Sequence, residues 1–169
     1  MPVRAVNRRW RAALGSLVFL ALAPGVVAGV VPWLLTDWRG RSPWPLQVAG
    51  LALLVAGAVV LLSAFVRFVV EGLGTPAPVA PTERLVVGGL YRFVRNPMYL
   101  AVGATIIGQA LILGRLVLLA YAAVFAAAVA TFVYAYEQPR LTAQYGDRYE
   151  TYRRAVPAWW PRRRPWDGP

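Results

Sequence analysis

Gly89-Leu90-Tyr91-Arg92-Phe93-Val94-Arg95-Asn96-Pro97-Met98-Tyr99 gathers two guanidinium groups, an amide and two phenols in one short segment. Asn is a favoured helix N-cap and Pro suits the first helical position, so Asn96-Pro97 reads as a helix start. A helix start offers unpaired N–H groups and a partial positive charge. Arg92 and Arg95 add fixed cations there, and arginine grips a carboxylate through two parallel hydrogen bonds. An anion-binding corner follows, although a basic membrane anchor with ordinary capping accounts for the same residues equally well. A second polar group, Glu137-Gln138-Pro139-Arg140, carries a carboxylate and an amide.

The elements between these groups must bring them together. An apolar stretch from Pro97 to Leu113 is followed by Gly114-Arg115 and then by a second one from Leu116 to about Tyr136. The tight turn makes them an antiparallel helical hairpin. Glu137 therefore returns beside Arg95 and Asn96, although about 40 residues separate them. The result is a pocket with an anion-gripping side and a cation-tolerant side, which suits a zwitterion. S-adenosylmethionine fits that description, as do other amino-acid-like ligands. An exposed salt bridge from Glu137 to a nearby arginine is the plainer alternative, and is worth little.

Composition decides the solvent. Of 169 residues, 59% are hydrophobic and 15% charged, against roughly 25% charged in an ordinary soluble domain. The chain is expected to be an all-α integral membrane protein with about four transmembrane helices and a C-terminal amphipathic interfacial helix. It has no Cys and no His, which removes disulfides, thiolate nucleophiles, imidazole bases and the usual zinc or haem ligands. No metal site is expected. Acid–base or electrostatic work falls to Glu, Asp, Arg or Tyr.

The first expected span runs from about Ala12 to Leu35, with Pro24 and Pro32 kinking it or ending it early. It is longer than a signal peptide and is read as retained. Trp33, Trp38 and Trp44 flank the polar break from Thr36 to Pro45, as aromatic residues do at a membrane boundary. The second span covers Leu46 to Val70, with Arg67 near its end placed to snorkel. A Gly/Pro-punctuated segment, Glu71 to Asn96, leads to the hairpin. The whole is one membrane domain: residues 1–70 form two N-terminal spans, and residues 71–169 the cofactor-binding hairpin, loop and C-terminal helix.

All 18 basic residues are arginine. Besides Arg67 at the end of the second span, four precede the first span, two lie in the Thr36–Pro45 loop, three in the middle segment, one at the hairpin turn and seven in the tail. This alternation puts both termini and the middle segment in the cytoplasm, and the Ala-, Arg- and Pro-rich composition reads as a bacterial inner-membrane protein. In the tail, Leu141, Tyr145, Tyr149, Tyr152 and Val156 recur at three- and four-residue steps. That stripe predicts an amphipathic helix along the inner surface, interrupted near Gly146. Arg162-Arg163-Arg164 is expected to meet anionic lipid headgroups rather than nucleic acid. Thr105 and Gln109, polar residues inside the third span, mark either a pathway or hydrogen bonds to a neighbouring helix.

Gly89-Leu90-Tyr91-Arg92-Phe93-Val94-Arg95-Asn96-Pro97-Met98-Tyr99 resembles the G-x-Y-R-x-x-R-[HN]-P-x-Y signature of the isoprenylcysteine carboxyl methyltransferase family. That family is grouped with the phospholipid N-methyltransferases. Glu137-Gln138-Pro139-Arg140-Leu141, Tyr145-Gly146-Asp147-Arg148-Tyr149, Tyr152 and Val156-Pro157 are similar to its E-E-x-x-L…[FY]-G-x-x-Y-x-x-Y…V-P ending. The likeness spans roughly Gly74 to Pro161. It implies a cytoplasm-facing S-adenosylmethionine pocket closed by the C-terminal helix, with a lipophilic small molecule or lipid entering from the bilayer. On that resemblance Arg95 and Glu137 are the catalytic residues. Tyr91, Arg92, Arg95, Asn96, Pro97, Tyr99, Glu137 and Gln138 bind the cofactor. Asn96 stands where relatives often have His, and Gln138 where they have a second Glu, which removes one negative charge.

Methyl transfer from a sulfonium to a carboxylate needs no general base, and a dry pocket helps through orientation and desolvation. A carboxylate acceptor is therefore favoured, with an amine the alternative. The rival readings are a nicotinamide-dependent membrane reductase and a non-catalytic four-helix subunit or transporter-like protein.

Overall fold

The computed structural model describes residues 22–67 and 85–168, and among them every regular element is helical. The start of the first expected span, the end of the second and most of the Gly/Pro-rich segment lie outside the described residues. Helix α1 (Leu22–Thr36) is followed by α2 (Trp44–Arg67), α3 (Pro97–Leu113), α4 (Leu116–Tyr145) and α5 (Asp147–Ala155). By length and composition, α2 and α4 can cross a membrane, and α1 and α3 are shorter apolar helices.

Helix α1 runs on to Thr36 and accommodates Pro32 with a bulge, where a kink or an early end is expected from the sequence. Pro32 has no N–H, so the carbonyl of Ala28 loses its donor four residues on. The N–H of Val31 reaches back five residues to Val26, within a π-helical stretch from Val26 to Val30, so the carbonyl of Val27 loses its donor too. Both carbonyls are satisfied from other helices. Gln109 Nε2 of α3 donates to Ala28 O at 2.7 Å, and the Tyr121 hydroxyl of α4 donates to Val27 O at 2.9 Å. In an apolar surrounding such partners keep a distorted helix affordable in free energy. Gln109 Oε1 also accepts from Trp38 Nε1 at 3.1 Å. Gln109 is thus a structural link between helices, and Thr105 returns its hydroxyl to Ala101 O at 2.9 Å.

Helices α2 and α3 pack backbone to backbone. Gly50 and Gly57 lie buried one heptad apart on α2, and Ala64 completes the series. A Cβ on Gly57 would stand 2.7 Å from both Ala101 O and Thr105 Oγ1, and one on Gly50 would stand 2.5 Å from Gly108 O. Small residues at an interhelical seam are how apolar helices approach closely without a hydrophobic driving force. The opposite face of α2 exposes Val48, Leu51, Val55, Val59, Leu62 and Val66. Val102, Ile106 and Ala122 form a buried cluster against Val27, Ala28 and Phe125.

The arginine-poor loops meet at one end of the molecule. Ser42 N–H donates to Ile112 O at 3.2 Å, and Gly40 leaves no room for a side chain against Leu113 O. Gly114, at φ 64°, makes the hairpin turn beside them.

Helix α4 runs on to Tyr145, beyond the stop near Tyr136 that its apolar stretch predicts. A π-helical stretch from Val133 to Glu137 absorbs Pro139 in the way α1 absorbs Pro32, so the helix bulges rather than ends. Gly146, at φ 55°, supplies the expected interruption, and α5 follows. The stripe of Leu141, Tyr145, Tyr149, Tyr152 and Val156 is present, but it packs on Leu85, Val87 and Trp166. This face is covered by protein, not by the lipid surface the sequence predicts for it, because the 85–96 segment offers apolar partners closer to hand.

Candidate active site at the foot of the hairpin

The corner is built where the segment before α3 meets α4 and the chain after α5. A short 3-10 turn, Gly89–Arg92, enters it. Gly89 sits at φ 57°, the left-handed region that favours glycine, and the Arg67 side chain lies against it, 2.8 Å from where a Cβ would stand. Pro97 opens α3 as expected and is fully buried. Asn96 occupies the N-cap position but makes no side-chain capping bond. Its amide donates instead to Ala158 O at 3.2 Å, because the chain after α5 lies against it.

Glu137 returns to the start of α3 as the hairpin requires. Its carboxylate accepts from the Tyr99 hydroxyl at 3.1 Å, joining the two polar groups of the sequence into one site. The π-helical turn that ends at Glu137 sets its direction, since the wider turn rotates this residue relative to a plain α-helix. Next to it, Gln138 is buried, and its Nε2 has no hydrogen-bond partner among the described residues.

Arg95 is held by three bonds. Its N–H donates to Pro157 O at 3.0 Å, its Nε to Val156 O at 2.9 Å and its Nη1 to the Tyr149 hydroxyl at 3.2 Å. It makes no direct ion pair with Glu137. Arg92 is turned away toward the tail, where its Nε donates to Trp166 O at 2.7 Å and its guanidinium pairs with Asp167. Arg92 therefore stands apart from the Arg95–Glu137 corner.

Four phenols line or support the corner. Tyr91 is buried, and its carbonyl accepts from the Tyr152 hydroxyl at 2.7 Å. Burial holds the Tyr91 hydroxyl well above its ordinary pKa, with nearby Tyr152, Glu137 and Tyr99 adding to the effect. Burial also raises Tyr149, against the opposing charge and hydrogen bond of Arg95. These phenols stay neutral at physiological pH. Tyr149 and the Val156–Ala158 backbone grip Arg95 and Asn96. The three- and four-residue stripe marks Tyr149 and Val156 as one helix face, but no spacing foretells that they hold Arg95.

A family model of phospholipid methyltransferases matches residues 46–148. The chain belongs to this family. The matched stretch contains nearly all of α2, the Gly89–Asn96 corner, the hairpin and Glu137-Gln138, whereas Tyr149 and Val156–Ala158, which hold Arg95 and Asn96, lie beyond it. Members are methyltransferases of membranes, and the apolar helices accord with that setting. Neither the reductase nor the non-catalytic reading is favoured by the match. The chain matches no curated protein and no solved structure.

Proposed function

We propose that this protein is a four-span, S-adenosylmethionine-dependent membrane methyltransferase that modifies a lipophilic acceptor at the cytoplasmic face. The observation that carries the reading is the Tyr99–Glu137 bond, which closes two separated motifs of a methyltransferase family into one corner. The cofactor fits what the corner leaves open. The buried Gln138 amide nitrogen lacks an acceptor, a cost a native protein rarely bears without reason, and a carboxylate or ribose oxygen of the cofactor would supply one. Glu137 would hold a cation or a ribose hydroxyl, Arg95 a carboxylate, and Tyr91 and Tyr99 the walls. Asn96 and Pro97 would act by fixing the start of α3.

When bound, S-adenosylmethionine supplies an electrophilic methyl group on a positively charged sulfur. The chain's own task is to orient the acceptor, exclude water and hold charge. Arg95 has already committed Nε and Nη1 to the protein, which weakens the case for a two-pronged grip on an acceptor carboxylate. An amine acceptor must lose a proton, and with the phenols held neutral Glu137 is the group placed to receive it. We therefore place the amine of a phospholipid headgroup ahead of the carboxylate that displacement chemistry alone favours, in line with the family's name.

Calorimetric titration of the detergent-solubilised protein with S-adenosylmethionine and with NADPH tests the reading. Binding of the first and not the second is expected, and the reverse would overturn it. Methyl transfer to phosphatidylethanolamine, set against a prenylated carboxylic acid, then separates the two acceptors.

A further inference from the structure

After α5 the chain crosses back over the corner as a bent strap without regular structure, residues 156–168. It runs antiparallel to the segment it covers. Pro157 O and Ala158 O take the Arg95 N–H and the Asn96 amide, Arg162 N–H donates to Phe93 O at 2.9 Å, and Trp166 N–H to Arg92 O at 3.0 Å. Two ends are anchored by burial. Val156 and Ala158 are buried at one end, and the Trp166 ring lies 5.3 Å from that of Tyr152 at the other.

Between those anchors the strap shows a different face. Trp160 is 80% exposed, and Arg163 and Arg164 are exposed with no ion-pair partner among the described residues, Asp167 being taken by Arg92. Trp159 Nε1 donates to the Tyr134 hydroxyl at 3.1 Å. Tyr134 is half-exposed on α4, one turn before Glu137, so the strap meets the long apolar helix near its polar end. In a helix that crosses a membrane this end lies just beneath the headgroups, and Trp160, Arg163 and Arg164 follow the Trp159 contact along the strap. An indole is unfavourable in water and favourable at such a boundary, and clustered arginines are drawn to anionic lipid.

We propose that an anionic lipid surface, engaging Trp160, Arg163 and Arg164, holds the strap closed over the Arg95–Asn96 corner. Membrane charge then regulates the site, because Arg95 is positioned by backbone carbonyls that belong to the strap. The effect on the cofactor rests on the function proposed above; the effect on the strap does not.

The test uses the full chain in nanodiscs of phosphatidylcholine alone and of phosphatidylcholine with phosphatidylglycerol. Hydrogen exchange is followed at the amides of Arg162 and Trp166, with α2 amides as the folding control. Two arginines at an anionic surface should slow exchange on the order of tenfold. The double variant Arg163→Gln, Arg164→Gln should lose this response while keeping its α2 protection. Equal exchange in the two bilayers, or a lipid response that survives the double variant, overturns the proposal. So does equal slowing by heparin in phosphatidylcholine discs, which would make the surface a polyanion site without a membrane. S-adenosylmethionine titrated in the same discs should bind more tightly where exchange is slower. Slowed exchange with no cofactor binding in either disc would leave the lipid effect standing and sink the cofactor assignment instead.

Discussion

Arg95 and Glu137 face the same corner with different commitments. Arg95 spends two side-chain bonds on Val156 O and Tyr149 and, in the function proposed above, gives the rest of its guanidinium to the cofactor carboxylate, a charged contact worth about 1.5–3 kcal/mol that Arg95→Ala removes. Cofactor binding should weaken roughly ten- to hundredfold, since a decade is about 1.4 kcal/mol. The same change in detergent at Arg163, out on the strap, should leave binding unaltered, and equal losses at the two positions would reduce Arg95 to a membrane anchor. Glu137 supplies charge, with Gln138 neutral beside it. Glu137→Gln should lower S-adenosylmethionine affinity steeply, because an unbalanced cation in a water-poor site is costly. Gln138→Glu should leave affinity similar or tighter. If titration shows binding only after Gln138→Glu, the protein has lost the activity of its family. Arg92 behaves otherwise: its partner Asp167 is 75 residues away, and no spacing in the sequence foretells that pairing.

At the scale of elements, the two proline-linked bulges do different work. In α1 the bulge frees carbonyls that Gln109 and Tyr121 satisfy. Gln109→Leu should therefore cost about 1 kcal/mol of stability, typical of a hydrogen bond between apolar helices, without changing cofactor affinity. In α4 the bulge turns Glu137 toward Tyr99. Pro139→Ala restores an N–H and permits a plain α-helix there. Thermal stability should hold or rise while cofactor binding falls, an outcome that a purely structural proline would not give. Both hairpin helices and the return of Glu137 were legible because apolar length, a Gly-containing turn and the Asn-Pro start speak locally. The continuation of α4 to Tyr145 was not, because a proline signals a break in sequence whereas a π-bulge is decided by what packs around it. Nor was the close α2–α3 seam, since Gly50 and Gly57 announce small volume but not which backbone will come near.

Across the whole molecule, charge and contact agree on two ends. The Thr36–Trp44 loop and the Gly114-Arg115 turn touch through Ser42 and Ile112. They carry Arg39, Arg41 and Arg115, whereas Arg92, Arg95, Arg140 and the arginines of α5 and the strap lie toward the other end of α3 and α4. Basic residues concentrate on the cytoplasmic side of a membrane protein, so the function proposed above predicts a corner and strap that face the cytoplasm and two touching loops that face outward. Helix α3 is 17 residues long, roughly 25 Å, a little short of the apolar layer. Its start, and with it Asn96 and Tyr99, should thus sit below the headgroups, where a lipid acceptor can reach Glu137 without leaving the bilayer. Reporter fusions after residues 41 and 115 should then read as external, and fusions near residue 80 and at the C-terminus as cytoplasmic. A cytoplasmic signal at residue 41 together with an external one at residue 115 would separate two loops that the fold holds in contact. That result would overturn the four-span arrangement and remove the cytoplasmic address from the site.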